Sequence, residues 1–422
     1  MAETAKDANP SSWSPAHRRA SPKIGVVGAA AIGIGGMVGG GIFAVLGTAV
    51  SIAGGGTPLA FVLAGVIALL TAYSYTKLSV AFPRAGGTVV FLDEAFGVDL
   101  ATGTLNVMLW LCYLVTIALY AAAFGAYGAT FFAHPSPWLQ HALITTGILV
   151  PALINVLDAD IVGKSETYVV AGKLVLLAIV IVAGFPGADF GRISFTEIPH
   201  PLSLIAGGMV IFVAYEGFEL IANAAEDVKA PERTLPLAFY GSVLFVLALY
   251  VLIAMVTVGS VAPDLIPKVK DYALAEAAKP ALGQAGFVLV SVSALMATFS
   301  AINATIYGNA RLGYTLAKDG ELPEPLEHKT WNRPVAGVLL TASLSLLLAN
   351  LVDLAGIAIM GSAGFLIVFA AVNLSNLKLA SVTGANRVLA VLGFFACIAA
   401  LATLLYHTYA DNPEALLVVA GM

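Results

Sequence analysis

The chain has 422 residues, 59% of them hydrophobic and only 11% charged, with a mean hydropathy of +0.92. A soluble protein wets its surface with about 25% charged residues, so this surface is built to face lipid, and a composition so apolar excludes a nucleic-acid binder. The formal net charge of −5 says little, because in a membrane protein the placement of charge matters more than its sum.

Residues 1–23 are polar and place Arg18, Arg19 and Lys23 just before the first apolar run, at about 24–50. That run exceeds the ~7–15-residue core of a signal peptide and lacks a convincing cleavage site, so it reads as a retained span. A span needs about 20 apolar residues, and by that rule the chain predicts ten more, at about 58–82, 100–132, 139–157, 166–186, 202–225, 236–260, 285–318, 334–352, 356–380 and 386–409. The third and eighth runs are longer than a bilayer requires, which implies tilt or extension beyond it. The stub at 413–422 can start a twelfth helix but not finish one. No linker or soluble second domain interrupts this pattern, so 24–422 reads as one transmembrane domain behind a polar tail.

With the N-terminus cytoplasmic, inner segments and helix ends hold fifteen lysines and arginines, and outer segments hold four: Arg192, Lys268, Lys270 and Lys279. That asymmetry predicts a cytoplasmic N-terminus. Cys112 and Cys397 both fall in apolar stretches and can build neither a disulfide framework nor a zinc site. The histidines do not cluster, and no nucleophilic constellation stands out, so an enzyme is not expected and no cofactor is called for.

Two predicted spans are interrupted. The first carries GIGGMVGGGIF from Gly33 to Phe43, with Gly39, Gly40 and Gly41 consecutive. Each glycine costs about 1 kcal/mol relative to alanine inside a helix, so the triplet argues against continuous helix. Unwound backbone at membrane depth is tolerated where it lines a cavity or is buried in protein; its N–H groups suit a carboxylate and its carbonyls an ammonium. Close helix packing through small residues is the alternative reading. The sixth span carries FVAYEGFEL from Phe212 to Leu220, which sets Glu216, Gly217 and Glu219 at mid-membrane. An ionised acid there costs about 2.5–3.5 kcal/mol on insertion scales and so faces a partner or water. Binding a cationic group, holding a proton, closing a gate or capping broken backbone all fit. Interruptions in a first and a sixth helix imply an inverted repeat of five, about 24–186 and 202–380, with an additional helix at 386–409.

Lys173 sits in AGKLVLLAIVIVAG, seven residues after Glu166 and a third of the way into the fifth span. A lysine there either cycles a proton or snorkels to the interface. Ser300 and Asn303, three residues apart in the eighth span, are candidates to meet it.

The residues together resemble the amino acid–polyamine–organocation transporters. GGMVGGGIF looks like that family's first-helix pattern, FVAYEGFELIANAAEDVKAPERTLP (Phe212 to Pro236) its sixth helix and loop, INATIYGNARLGYTLAKDGELP (Ile302 to Pro323) its eighth helix and exit, and FPRAGGTVVFLDEAFG (Phe82 to Gly97) its second-to-third connection. The resemblance implies an all-α polytopic membrane protein with the LeuT-like fold, two five-helix inverted repeats around a midplane site with helices one and six broken. It implies that Gly40 and Gly41 offer amides to a substrate carboxylate, with Gly39 and Gly217 beside them. The carbonyls of Met37, Val213 and Glu216 would receive the ammonium. Glu219, flanked by Phe212 and Tyr215, holds a gate position, and Lys173 matches a fifth-helix lysine that replaces a sodium site in proton-coupled members. Two positions depart from the pattern: Val213 stands where a bulky aromatic gate is frequent, and Glu216 where an apolar residue is common. The function expected is amino-acid import across a prokaryotic plasma membrane by proton symport with alternating access, the proton being the coupling ion. An exchanger or cationic-amine carrier, a channel and a non-transporting sensor are the alternatives. The partners expected are the amino-acid substrate and the bilayer, and a monomer or a homodimer fits equally.

Overall fold

A computed structural model describes residues 24–157, 160–193, 201–328 and 334–411. The polar tail at 1–23 and the apolar stub at 413–422 lie outside the described residues. The described chain is all α-helical, joined by short turns and 3₁₀ segments, with one isolated β-bridge between Ile24 and Val228.

The first predicted span is two helices, α1 (Val26–Met37) and α2 (Gly41–Ala53). After α3 (Thr57–Ala81), with proline in its first turn, the connection forms a short helix, α4 (Thr88–Phe96). Next come α5 (Leu100–Ala129), α6 (Pro137–Leu157) and α7 (Asp160–Gly184). The Asp99 carboxylate accepts from Thr102 N at 2.9 Å and so caps α5. The sixth span is again split, into α8 (Pro201–Val210), a 3₁₀ turn over Ile211–Tyr215, and α9 (Leu220–Asn223). Then follow α10 (Pro231–Ser260), the one-turn α11 (Ile266–Val269) and α12 (Ala273–Lys318). The last are α13 (Val335–Leu351), α14 (Leu354–Lys378), the one-turn α15 (Ala380–Thr383) and α16 (Arg387–Asp411).

Among the described residues nine helical stretches are long and apolar enough to cross a membrane, one of them running α2 and α3 together, and α1 and α13 are shorter apolar helices. The eleven predicted apolar runs are thus all helical. Besides the one-turn α11 and α15, two helical segments were not expected from sequence: α4, and the part of α12 before Gly283, whose φ of 62° and ψ of −158° break the helix in two. Pro280 and Gly283 close together conceal that first piece in the sequence.

Helix α14 lies at the centre, with 83% of its spanning window buried, against 28% for α7 and for α16 at the lipid-facing rim. Around it α3 packs on α10, and α5 on α12. An aromatic cluster fills the space between α3, α4, α10 and α14. The Tyr75 ring lies 5.4 to 5.8 Å from Phe218, Phe369 and Phe91, and its hydroxyl shares a 2.7 Å hydrogen bond with Thr88 on α4.

The contacts among α3, α14 and α16 are polar inside an apolar setting. Asn373 accepts from Ser74 Oγ at 2.7 Å and donates to Thr71 Oγ1 at 3.1 Å, while Asn376 donates to Ser74 at 3.1 Å. Gly393 of α16 passes so close that a Cβ there would meet Asn373 Oδ1 at 2.4 Å. Asn373→Ala should therefore destabilise the chain by about 1–2 kcal/mol, since it takes the acceptor of the Ser74 hydroxyl and a donor to Thr71 out of a buried network. Thermal unfolding in detergent, read by a thiol-reactive dye at the two buried cysteines, is the check; an unchanged melting curve would contradict it.

Candidate functional site

The two interruptions lie against each other. Helix α1 ends at Met37, where the backbone turns through Val38 (φ −81°, ψ 37°), and α2 starts at Gly41. Opposite, the chain leaves the 3₁₀ turn at Glu216 (φ −59°, ψ 145°) and passes Gly217 at φ 116° before α9. A Cβ on Gly36 would stand 2.7 Å from the Gly217 oxygen, and one on Gly217 would stand 2.4 Å from the Gly36 carbonyl carbon. Backbone meets backbone there, at a φ that favours glycine. Gly41 is similarly close to Ala214, whose Cα lies 3.0 Å from where its Cβ would be.

The polar groups released by these breaks are met from neighbouring helices. The Tyr250 hydroxyl of α10 lies 2.6 Å from the Met37 carbonyl and 3.1 Å from that of Ala214, so one phenol spans both broken segments. Ser362 of α14 donates to Val210 O and accepts from Val213 N, both at 3.0 Å, and so replaces a helical hydrogen bond. The Val213 carbonyl accepts from Glu216 N at 3.2 Å. The Lys173 ammonium of α7 donates to the Gly35 carbonyl at 3.2 Å, one turn before the α1 break.

Lys173, Glu216 and Glu219 are 5%, 5% and 1% exposed. Glu216 accepts from the Tyr120 hydroxyl at 3.4 Å; Glu219 accepts from Tyr113 at 3.4 Å and from Gly217 N at 2.7 Å. Tyr113 and Tyr120 are seven residues apart on α5, two turns along one face. Tyr120 also lies on the glycine triplet: a Cβ on Gly40 would stand 2.5 Å from its ring and 2.9 Å from the Thr298 methyl. In this conformation Tyr120 and Thr298 fill the space over Gly40.

The remaining sequence candidates are placed as follows. Phe212 is buried against Phe369 at 5.9 Å between ring centres. Tyr215 donates to the Phe61 carbonyl at 2.8 Å and packs edge-on to Tyr250. Asn303 is hydrogen-bonded by the Asn155 amide of α6 at 2.7 Å, and Ser300 is half-buried on the same helix. The sequence reading missed Tyr113, Tyr120, Tyr250 and Ser362. A hydroxyl inside an apolar run was the one available signal. Among the described residues no group of His, Cys, Asp and Glu is arranged to hold a metal.

Gly217→Ala should lower stability by about 2 kcal/mol or more through backbone collision and strain. Gly172→Ala is the matched control, because a Cβ there meets nothing within 4 Å and helix propensity alone should raise stability by up to about 1 kcal/mol. Tyr250→Phe should cost about 1–3 kcal/mol by leaving buried carbonyls unmet. Thermal unfolding of the three variants side by side tests the ranking.

Comparison with known proteins agrees with this architecture. The chain is 35% identical over 392 residues to an uncharacterized protein of Methanocaldococcus jannaschii, covering 92% of this chain and 90% of that one. It is 31% identical over 401 residues to the inner membrane transport protein YbaT of Escherichia coli, covering 94% and 93%. It is 26% identical over 320 residues to the serine/threonine exchanger SteT of Bacillus subtilis, covering 72% and 71%. Two abutting broken helices in a multi-pass helical bundle thus occur in a chain that matches the model for amino acid permeases over residues 24–414, and the chain belongs to that family.

Proposed function

We propose that this permease imports amino acids by proton symport, by alternating access across a prokaryotic plasma membrane, with its N-terminus cytoplasmic. The observation that carries the reading is the Lys173 ammonium on the Gly35 carbonyl, because it ties a titratable group to the broken helix. A charged donor makes a hydrogen bond roughly twice as strong as a neutral one. Protonated Lys173 holds the end of α1 against α7, and the neutral amine releases it. Proton load and the position of α1 are then linked, which is what coupling requires.

In this reading the substrate sits between the two breaks, where 24–186 and 202–380 act as inverted repeats. Its carboxylate takes the amides of Gly40 and Gly41 next to Gly39, and its ammonium takes the carbonyls of Met37, Val213 and Glu216 beside Gly217. Tyr250 already occupies the Met37 carbonyl with one hydrogen bond, and the oxygen's second lone pair is available to a ligand. Tyr120 swings off Gly40 to admit the ligand. Glu219, Phe212 and Tyr215 belong to the gate, and Ser300 and Asn303 to the proton path beside Lys173.

The test is uptake of labelled amino acids into proteoliposomes, with and without an inward proton gradient. The wild type should concentrate substrate only with the gradient. Lys173→Ala should lose at least about tenfold of the gradient-driven rate, an effect of ~1.4 kcal/mol, while still exchanging internal for external substrate. Uptake that needs internal amino acid and ignores the gradient would replace symport with exchange.

A further inference from the structure

The start of α5, the short helix α4 and the exit of α12 meet at a junction that the transport reading leaves unused. Fully buried Asn106 of α5 directs its amide nitrogen at three carboxylate oxygens. Asp93 Oδ1 on α4 lies at 3.4 Å, and Glu321 Oε1 and Oε2, just past α12, lie at 3.1 and 3.2 Å. One amide nitrogen has two hydrogens to offer, so the three oxygens compete for them. The oxygen of the same carboxamide, Asn106 Oδ1, is buried and has no hydrogen-bond partner among the described residues. A buried acceptor left unmet costs about 1–3 kcal/mol. The group this junction needs is a hydrogen-bond donor, and a carboxyl that takes up a proton is one.

The neighbouring charges do not supply it. Asp319 in the turn after α12 and Glu94 on α4 add negative charge to the pair. Arg84 is engaged by Glu94 at 2.8 Å on the surface. Lys378 of α14 lies over the Phe96 ring at 5.0 Å and acts on Asp99. Burial pushes the Asp93 and Glu321 carboxyls above the ordinary carboxylate range, the Asn106 amide pulls both back in part, and mutual repulsion with Asp319 adds to the rise. Water reaches the junction: Glu321 and Asp319 line a cleft of about 520 Å³ together with Asp99, Gly103 and Thr104.

We propose that Asp93 and Glu321 hold one proton between them across the Asn106 carboxamide, and that this proton latches α4 to the exit of α12. With the proton present, one carboxylate accepts from the amide nitrogen and the other carboxyl donates to the amide oxygen. Without it, two like charges repel and the oxygen stays unmet. Both groups bind protons more tightly in the folded chain than free, so the latch is closed at low pH and is lost as pH rises through their raised values. Its physiological sense rests on the proton-symport reading with this face cytoplasmic: protons delivered by import close the latch and slow further import.

The test is hydrogen exchange of the α4 amides in the purified full chain in lipid nanodiscs, from about pH 5 to about pH 8, corrected for the intrinsic pH dependence of exchange. Wild-type protection should fall about tenfold or more across one titration. Glu321→Gln is neutral and carries an amide that can donate to Asn106, so protection should stay high throughout; Glu321→Ala should be unprotected throughout. Glu94→Gln removes only a neighbouring negative charge, so it should keep the titration with its midpoint moved slightly down. Wild-type protection that ignores pH, or Gln and Ala variants that behave alike, would overturn the latch. No transport is measured, so neither result bears on whether Lys173 couples protons to uptake.

Discussion

Gly36 and Gly217 touch through their main chains, and the centre of this fold is organised around that contact. With no side chain on either, the last turn of α1 comes within van der Waals distance of the loop that interrupts the sixth span. At this crossing neither segment stays regular: α1 ends at Met37 and the sixth span is interrupted between Val210 and Leu220. Each sheds hydrogen bonds there, and in a lipid setting those must be replaced from within the protein. Tyr250, Ser362 and Lys173 are the replacements, one each from α10, α14 and α7. The two breaks leave groups unmet within their own segments and so determine what the surrounding helices must carry.

The two buried acids beside that contact are held by phenols rather than by arginine or lysine. A buried ion pair, once parted, leaves two bare charges, and removing one partner costs about 3–5 kcal/mol. A tyrosine that moves off an acid adds no second bare charge, so one unmet group fewer is charged than when an ion pair parts. The Tyr113 and Tyr120 pairings on Glu219 and Glu216 are thus ones that a helix shift can break at modest cost. By contrast, the Tyr75 cluster on the α4 side is apolar and densely packed, and it resists change until several rings move together.

The positions of the two breaks were legible in the sequence because they violate a local rule: three consecutive glycines, and two acids around a glycine, inside otherwise apolar runs. The helical, multi-pass character was legible from hydropathy alone. The partners were not. Tyr120 and Glu216 are 96 positions apart, Tyr113 and Glu219 106, and Tyr250 and Met37 213. A tyrosine in an apolar run contributes to hydropathy whether or not its hydroxyl has work to do. Asn106 escaped notice for a related reason, since one amide near a helix start reads as surface until α4 and the α12 exit close over it. The first piece of α12 was hidden by its own Pro280 and Gly283, which read as loop and are in fact a joint between two helices.

The chain just before that joint has a consequence for α2. The Lys270 backbone, ahead of the first piece of α12, lies so close to Gly47 of α2 that a Cβ there would stand 1.9 Å from its carbonyl oxygen. Main chain meets main chain, with no layer of side chains between them to yield. The half-helix that begins at the glycine triplet is therefore spaced from this segment by the absence of a side chain at position 47, and any larger residue there would displace one of the two.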